Sequence, residues 1–367
     1  MKIGINATFL HEKPTGLGVF TEGLSRFITT MLNAKALVFS PIPVEGVPED
    51  SFRRVPLYIK GSMRFRNNLF RAYYLNTVLP LRCRHEKIDV LFCPMIEFPF
   101  VPLVPLVVHV HDLHPIQFSS QFGRAAVFLR LSLHILKRVV KRITVSSGYV
   151  KKELLKATGI REEKIDVVPL AYNERLFHTC APEGKGSFFE KYFLKRNYIL
   201  CVGNLFPYKN IRTLAEAFLK IKDRTDHCLV VVGRKEFAPG RLVEDARILY
   251  MDYVPDEDLP RFYSYASLLA HPSLSEGFGL TPLEAMACGT PVISSNRGAL
   301  PEVVGDAGMY FDPGDAGTLS DLILEVINNE RLRSEMIEKG FKRVKLFSWE
   351  NTATGILTAC EKACGKG

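Results

Sequence analysis

No run of this 367-residue sequence is apolar for long enough to cross a bilayer. The most apolar window, FVPLVPLVVHV at 100–110, is short and interrupted by two prolines. Near Met1 there is no basic segment leading into a long apolar one, since MKIGINATF passes directly into a strand-like alternation. A secretory leader is therefore not expected, and a soluble cytoplasmic protein is. A full GxGxxG fingerprint is missing, which argues against ordinary NAD binding. No GxSxG elbow surrounds Ser147, so that serine, in SSGYVKKEL, reads as a helix N-cap and not as a nucleophile. Repeats of fixed short period and low-complexity tracts are also missing.

What is present is the composition of an ordinary globular protein, 47% hydrophobic and 24% charged, on a chain long enough for two cores. Of eight cysteines, Cys93, Cys201, Cys228 and Cys288 lie in or beside apolar runs, where a thiol acts as a small core residue. Cys360 and Cys364 stand four apart on an expected helix, and one such pair reads as reduced bystander thiols before it reads as metal ligands. The net charge of +9 is uneven. Residues 1–170 hold 24 Lys+Arg against 13 Asp+Glu, and the remainder 24 against 26. The excess gathers at Arg53, Arg54, Lys60, Arg64, Arg66 and Arg71, and again at Lys137, Arg138, Lys141 and Arg142. Such patches fit nucleic acid, anionic lipid or a phosphorylated substrate, or simply a soluble surface.

Short apolar runs alternate with amphipathic segments from end to end. Strands are expected at KIGINAT, ALVFS, DVLFC, LVVHVH, ITVSS and DVVPL, then at YILCVGN, LVVVGR, ILYM, LLAHP, PVISS and MYFD. Continuous apolar strands between helices imply parallel sheets covered on both faces. The fold class is α/β, with two doubly wound domains and a cleft between them where ligands would bind. The boundaries fall at 1–172, a polar linker at 173–197 and 198–347, with a terminal helix at about 348–367.

SEGFGLTPLEAMACGTPVISSNRGALPEVVG, at 275–305, holds two carboxylates, a glycine-rich bend and a helix. Thr281 reads as an N-cap, Pro282 as the first helical residue and Thr281-Pro-Leu-Glu284 as a capping box, which would account for Glu284 without a ligand. Glu276 lies outside that helix. It precedes Gly277-Phe278-Gly279, a bend whose amides could approach an anion at a helix start. VHVHDLHP adds three histidines and Asp112, and on a strand His109 and His111 would share a face. Zinc is one reading of that cluster and a structural role another. TGLG at 15–18 follows the first strand, and a lone glycine pair there is a weak signal.

In this order the segments resemble retaining glycosyltransferases of glycosyltransferase family 4. Glu276-GFGLTPL-Glu284, followed by AMACGTPVISS and GALPEVVGDAG, is similar to the family's donor site. MKIGINATFL, TGLG and VVHVHDLHP match its first half, and YILCVGNLFPYKNIRTLAEAF and DYVPDEDLPRFYSYA the start of its second. FSWENTATGILTACEKA resembles its terminal helix, which crosses back to the first domain. The resemblance implies the GT-B fold, two Rossmann-like domains facing a central cleft. It implies that Glu276 holds the transferred sugar and Glu284 the ribose, with the amides of Gly277, Phe278, Gly279, Leu280 and Thr281 along the diphosphate and ribose. It places Lys209, in NLFPYKN, as the phosphate-binding cation, His111 beside the sugar and reacting centre, and His114 in local loop structure. Gly16 and Gly18 would form a loop facing the diphosphate.

The family's second cation stands at positions that here hold Asn204 and Tyr208, so Asn204 becomes a substrate contact and Arg234 a substitute cation. No Asp-x-Asp motif stands at a strand end, and no metal or other cofactor is expected. The activity implied is metal-independent, retaining hexosyl transfer, with GDP-mannose as first donor and a UDP-sugar next. The acceptor would be a glycan or a lipid-diphosphate-linked glycan of bacterial surface polysaccharide assembly, with no nucleic acid as partner. The basic first half adds an anionic membrane surface, contacted peripherally without insertion. Two other classes remain, a GT-B sugar-nucleotide epimerase and a metal-dependent hydrolase built on HVHDLH.

Overall fold

The computed structural model describes residues 1–11, 16–30, 34–56, 70–238 and 240–365. They form two compact units, Met1–Ala171 together with Trp349–Gly367, and Tyr172–Ser348. The first unit contains β1 (Lys2–Asn6), β2 (Lys35–Ser40), β3 (Phe52–Arg54), β4 (Val90–Cys93), β5 (Leu106–Val110), β6 (Arg142–Val145) and β7 (Ile165–Val167). The second contains β8 (Tyr198–Val202), β9 (Cys228–Val232), β10 (Ile248–Met251), β11 (Leu268–His271), β12 (Val292–Ser295) and β13 (Gly308–Phe311). Their sheets run β3-β2-β1-β4-β5-β6-β7 and β10-β9-β8-β11-β12-β13. The pairing is parallel throughout. Both sheets thus start in the middle and reverse direction once, between β1 and β4 and between β8 and β11, the topology that leaves a crevice at the strands' carboxyl ends.

The strands form where the apolar runs predict them because a strand covered on both faces needs no alternation. LVVHV, LLAH and VISS are buried at every position, polar residues included. One strand escaped the sequence reading. The three-residue β3, Phe-Arg-Arg, sits at the sheet edge and pairs only with β2, so it carries no buried apolar run. Residues 173–197, expected as a linker, belong to the second unit. Phe188 on the helix Lys185–Lys191 is buried there, with its ring 4.8 Å from Phe262 and 5.4 Å from Tyr265. All eight cysteines are free thiols, and Cys93, Cys201, Cys228 and Cys288 are buried in the cores as expected. Lys60, Arg64 and Arg66 lie outside the described residues.

The terminal helix Trp349–Ala363 docks on the first unit. Thr352 Oγ1 donates to Pro169 O at 2.8 Å and Lys362 reaches Asp166 at 2.8 Å. The indole of Trp349 lies against the helix Gly16–Thr30, where Gly23 leaves it room. A Cβ at Gly23 would stand 2.4 Å from Trp349 Cζ2, inside any real contact distance. Gly23→Ala should therefore overpack this seam and cost about 1–3 kcal/mol of stability. Urea unfolding followed by the fluorescence of Trp349, the sole tryptophan, measures it. An unchanged midpoint would show that the indole is not held there.

Candidate active site

The second unit places Lys209 and Glu276 at its point of reversal. Lys209 ends the turn Pro207–Lys209 after β8, and Glu276 follows β11, the strand that pairs with β8. The two loops are tied together. Leu274 N donates to Tyr208 O at 2.7 Å, and Asn210, left-handed at φ 56°, donates from Nδ2 to Pro272 O at 3.2 Å and Pro313 O at 2.8 Å. Residues 67 apart in sequence are thereby joined, with Lys209 Nζ 2.6 Å from Glu276 Oε1.

Two further donors meet the same oxygen. Ser273 Oγ lies 2.6 Å and His271 Nε2 2.9 Å from Glu276 Oε1. A carboxylate oxygen opposite His271 accepts only, so Nε2 carries the proton. Burial holds the imidazole below its ordinary pKa, Glu276 opposing the shift, and His271 is neutral at pH 7. Its Nδ1 is buried without a hydrogen-bond partner. The backbone of Glu276 is fixed as well. Ala299 N donates to Glu276 O at 2.9 Å, and Gly298 (φ 64°) approaches so closely that a Cβ would lie 2.5 Å from Glu276 N. Any L side chain at 298 meets both the strain and the clash.

The helix carrying Glu284 starts differently from the expectation. It spans Leu280–Ala287 and its N-cap is Gly279, at φ 128°, with no side-chain cap. Thr281 is the second helical residue, so the capping box does not form. A backbone turn that only glycine adopts readily moved the start two residues upstream. The amides of Leu280 and Thr281 fall in the first turn, where no intrahelical partner exists. The side chain of Phe278 packs in the core, 6% exposed and edge-on to Phe347 at 5.6 Å.

Freed from capping, Glu284 has another partner, Tyr263, whose hydroxyl donates to Oε2 at 2.9 Å. Thr281 hydrogen-bonds the same phenol. Burial pushes the Glu284 carboxyl up to about 7, against the lowering effect of Tyr263. Tyr263, His271 and Ser273 were all missed in the sequence. His271 and Ser273 had a signal, polar residues two apart at the end of an apolar strand just before the acidic bend. Tyr263, 21 residues before Glu284, had none.

Asn204 is exposed after β8, and its Oδ1 accepts from Arg234 N at 3.4 Å. The Arg234 side chain is more than half exposed and faces Glu236 at 3.6 Å.

In the first unit His111 follows β5. Its Nε2 lies 2.9 Å from Pro94 O, so Nε2–H donates and Nδ1 is left as an acceptor. Burial pushes its pKa down to about 4, partly offset by Asp112. Ser146 Oγ donates to His111 O at 3.1 Å. His109 and His111 do lie side by side, with ring centroids 4.3 Å apart, but His109 Nδ1 pairs with Thr144 Oγ1 at 2.9 Å. Asp112 Oδ1 accepts from His114 N at 2.9 Å, a local turn. These groups point to separate partners, and among the described residues no group of three His, Cys, Asp or Glu could hold a metal ion. Ser147 caps its helix, Oγ accepting from Val150 N at 3.2 Å. Gly16 and Gly18 are not in a loop. They lie in the first turn of Gly16–Thr30, Gly16 facing open space and Gly18 buried. Thr15 falls outside the described residues.

Residues 186–343 match the family described as Glycosyl transferases group 1. The chain is 36% identical to the O-antigen chain mannosyltransferase B of Escherichia coli over 63% of each chain. It is 31% identical to the O-antigen chain mannosyltransferase RfbU of Salmonella typhimurium over 56% of each. The matched segments span less than two thirds of these curated relatives. Among solved structures, HepE of Anabaena in complex with UDP and glucose superposes with a TM-score of 0.74 at 20% identity, covering 98% of both chains. WaaG, a glycosyltransferase involved in lipopolysaccharide biosynthesis, gives 0.71 at 16% identity, covering 98% of this chain and 99% of WaaG. These likenesses fix the fold as the GT-B class of two Rossmann-like α/β domains.

The raised pKa of Glu284 sets a pH test. The fold favours the protonated acid, so this contribution to stability is complete below the ordinary carboxylic range near 4.5 and is lost as pH rises through about 7. Glu284→Gln removes the buried charge and keeps an acceptor for Tyr263. It should melt above the wild type at pH 8, with the difference shrinking toward pH 5. Thermal melts at the two pH values measure it, and equal differences at both would contradict a raised pKa.

Proposed function

We propose, from the Glycosyl transferases group 1 domain that this chain carries over residues 186–343, that the protein is a metal-independent, retaining hexosyltransferase. The observation that supports it most is the convergence of Lys209, His271 and Ser273 on one oxygen of Glu276, next to the helix start that leads to Glu284. This set joins a cation, a preoriented carboxylate and first-turn amides, the groups a nucleoside diphosphate sugar requires.

In this reading the diphosphate takes Lys209, and the amides of Gly277, Phe278, Gly279, Leu280 and Thr281 line the diphosphate and ribose. The sugar hydroxyls donate to Glu276, and the ribose hydroxyls to Glu284. The leaving group gains negative charge as the glycosidic bond breaks, so a cation fixed beside it stabilises the transition state more than the bound donor. His271 and Ser273 keep the Glu276 carboxylate oriented when Lys209 turns to phosphate. His111, in the first unit, is neutral at pH 7 and has its Nε2–H engaged, so its Nδ1 is an acceptor suited to a hydroxyl group. Retention follows front-face attack, in which the departing phosphate oxygen accepts the acceptor's proton as the new glycosidic bond forms. Neither glutamate is then a general base.

Similarity to two O-antigen chain mannosyltransferases supports mannose as the transferred sugar, and GDP-mannose is the donor in this reading. The acceptor is a glycan or lipid-linked glycan, met at an anionic membrane surface. That contact is peripheral in this reading, and no helix of the described residues is long and apolar enough to cross a membrane.

Four experiments test this reading. A thermal-shift screen of nucleotides and nucleotide sugars should show stabilisation of about 2.7 kcal/mol at a hundredfold the dissociation constant. Lys209→Ala should lower turnover by about 10²–10³ and weaken nucleoside diphosphate binding. Glu276→Ala should lose turnover comparably yet bind the nucleoside diphosphate like the wild type, since its target is the sugar. Turnover should persist in excess chelator. Unimpaired turnover in both variants, or isomerised donor formed without acceptor, would overturn the assignment.

A further inference from the structure

The forty residues from Leu113 to Lys152 contain no Asp or Glu, but eight Lys and Arg. Their centre is the helix Arg124–Val139 of the first unit, which buries Ala126, Leu129, Ser132, Leu133 and Leu136 in the core. A single exposed apolar side chain on its outer side would be unremarkable in any protein. Here Val127, Phe128 and Leu131 are 57%, 54% and 61% exposed within little more than one turn. Spacings of three and four put Val127, Leu131, His134 and Arg138 on one face, so apolar and basic residues share it. Arg124, Arg130, His134, Lys137 and Arg138 are all exposed.

Beside this face runs a groove of about 590 Å³, lined by Arg130, His134, Lys137 and Arg138 and closed by Ala157 and Thr158 of the helix Gly148–Thr158. Its lining holds no carboxylate. Lys137 Nζ donates to Thr158 O at 3.1 Å, which holds its charge at the groove wall. From the neighbouring helix, exposed Lys152 and Lys156 add the same sign, and Glu153 is engaged by Gln117 Nε2 at 2.9 Å. A nucleic acid would match the charge and leave the apolar trio in water. An anionic bilayer matches both, since apolar side chains enter the boundary between headgroups and acyl chains while the cations beside them meet lipid phosphates.

We propose that the outer face of the helix Arg124–Val139, with the basic groove beside it, is the surface by which this protein lies on an anionic bilayer. Val127, Phe128 and Leu131 enter the headgroup boundary, and Arg130, His134, Lys137 and Arg138 pair with lipid phosphates. The surface gives a place to the membrane contact of the proposed function and rests on that reading for its purpose. Its test needs neither donor nor acceptor, so its failure and the failure of the transferase reading are seen separately.

The test is co-sedimentation of the full chain with phosphatidylcholine vesicles, with and without phosphatidylglycerol. The wild type should partition at least about tenfold more strongly onto the anionic vesicles, an advantage that falls as salt is raised. Phe128→Ser with Leu131→Ser should lower that binding about tenfold. Arg130→Glu with Lys137→Glu should abolish the preference for the anionic lipid. Both double variants change exposed residues and should melt and bind nucleotide as the wild type does. Equal partition of the wild type onto both vesicle types would overturn the proposal, as would wild-type binding by the serine variant. A dimer in sedimentation velocity that the serine variant abolishes, with no vesicle binding, would assign the face to a second copy instead.

Discussion

Glu276, a carboxylate only 9% exposed, draws the donors around it into one arrangement. A charge withdrawn from water is costly unless donors surround it, and removing one partner leaves the rest uncompensated. Lys209, His271 and Ser273 meet that need from the loop after β8 and from the end of β11 with its loop. These are joined by the Leu274 N–Tyr208 O hydrogen bond and by the Asn210 side chain. The left-handed Asn210 ties these loops through its side chain, bonding Pro272 O and Pro313 O, and Gly298, at positive φ, lies against the backbone of Glu276. A site held this way is preorganised before any ligand arrives. In the proposed reaction His271 and Ser273 stay on the carboxylate when Lys209 turns to phosphate, so Glu276 needs no reorganisation to accept from sugar hydroxyls.

Glu284 shows the opposite bargain. It sits in a helix whose cap is a glycine, draws its hydrogen bond from a buried phenol, and keeps a carboxyl pushed up to about 7. Nothing in the fold requires a carboxylate there, because an amide would satisfy Tyr263 equally well. A residue that the fold tolerates at a cost is more readily explained by a ligand than by stability. The capping box that the spacing Thr281–Glu284 predicts would have made the residue structural, and its absence strengthens the functional reading.

Legibility varied with the range of the interaction. The strands were legible because burial on both faces writes a continuous apolar run into the sequence, and the edge strand β3 was not because it has nothing to bury. The Gly16 and Gly18 pair was visible as composition, but its conformation, a helix's first turn, was not. The three histidines of HVHDLH looked like one cluster and proved to be three separate hydrogen-bonding situations, with Thr144, Pro94 and the local Asp112 turn. Likewise, a basic first half was plain from the residue counts, and the gathering of bare apolar side chains beside those charges on one helix face was not.

The sequence by itself determined the doubly wound class, the strand positions, the acidic bend before a helix and the lysine after the first strand of the second series. These are local, written in periodicity and in the residues a turn will accept. Tertiary structure alone decided that β8 and β11 become neighbours, bringing residues 67 apart to 2.6 Å, and that Tyr263 reaches Glu284 across 21 residues. Strand order in a parallel sheet is set by crossover packing, which no local pattern records. Glu276 and Lys209 could each be picked out in the sequence, but the meeting of Lys209, His271 and Ser273 on one oxygen of Glu276 could only be seen in the fold.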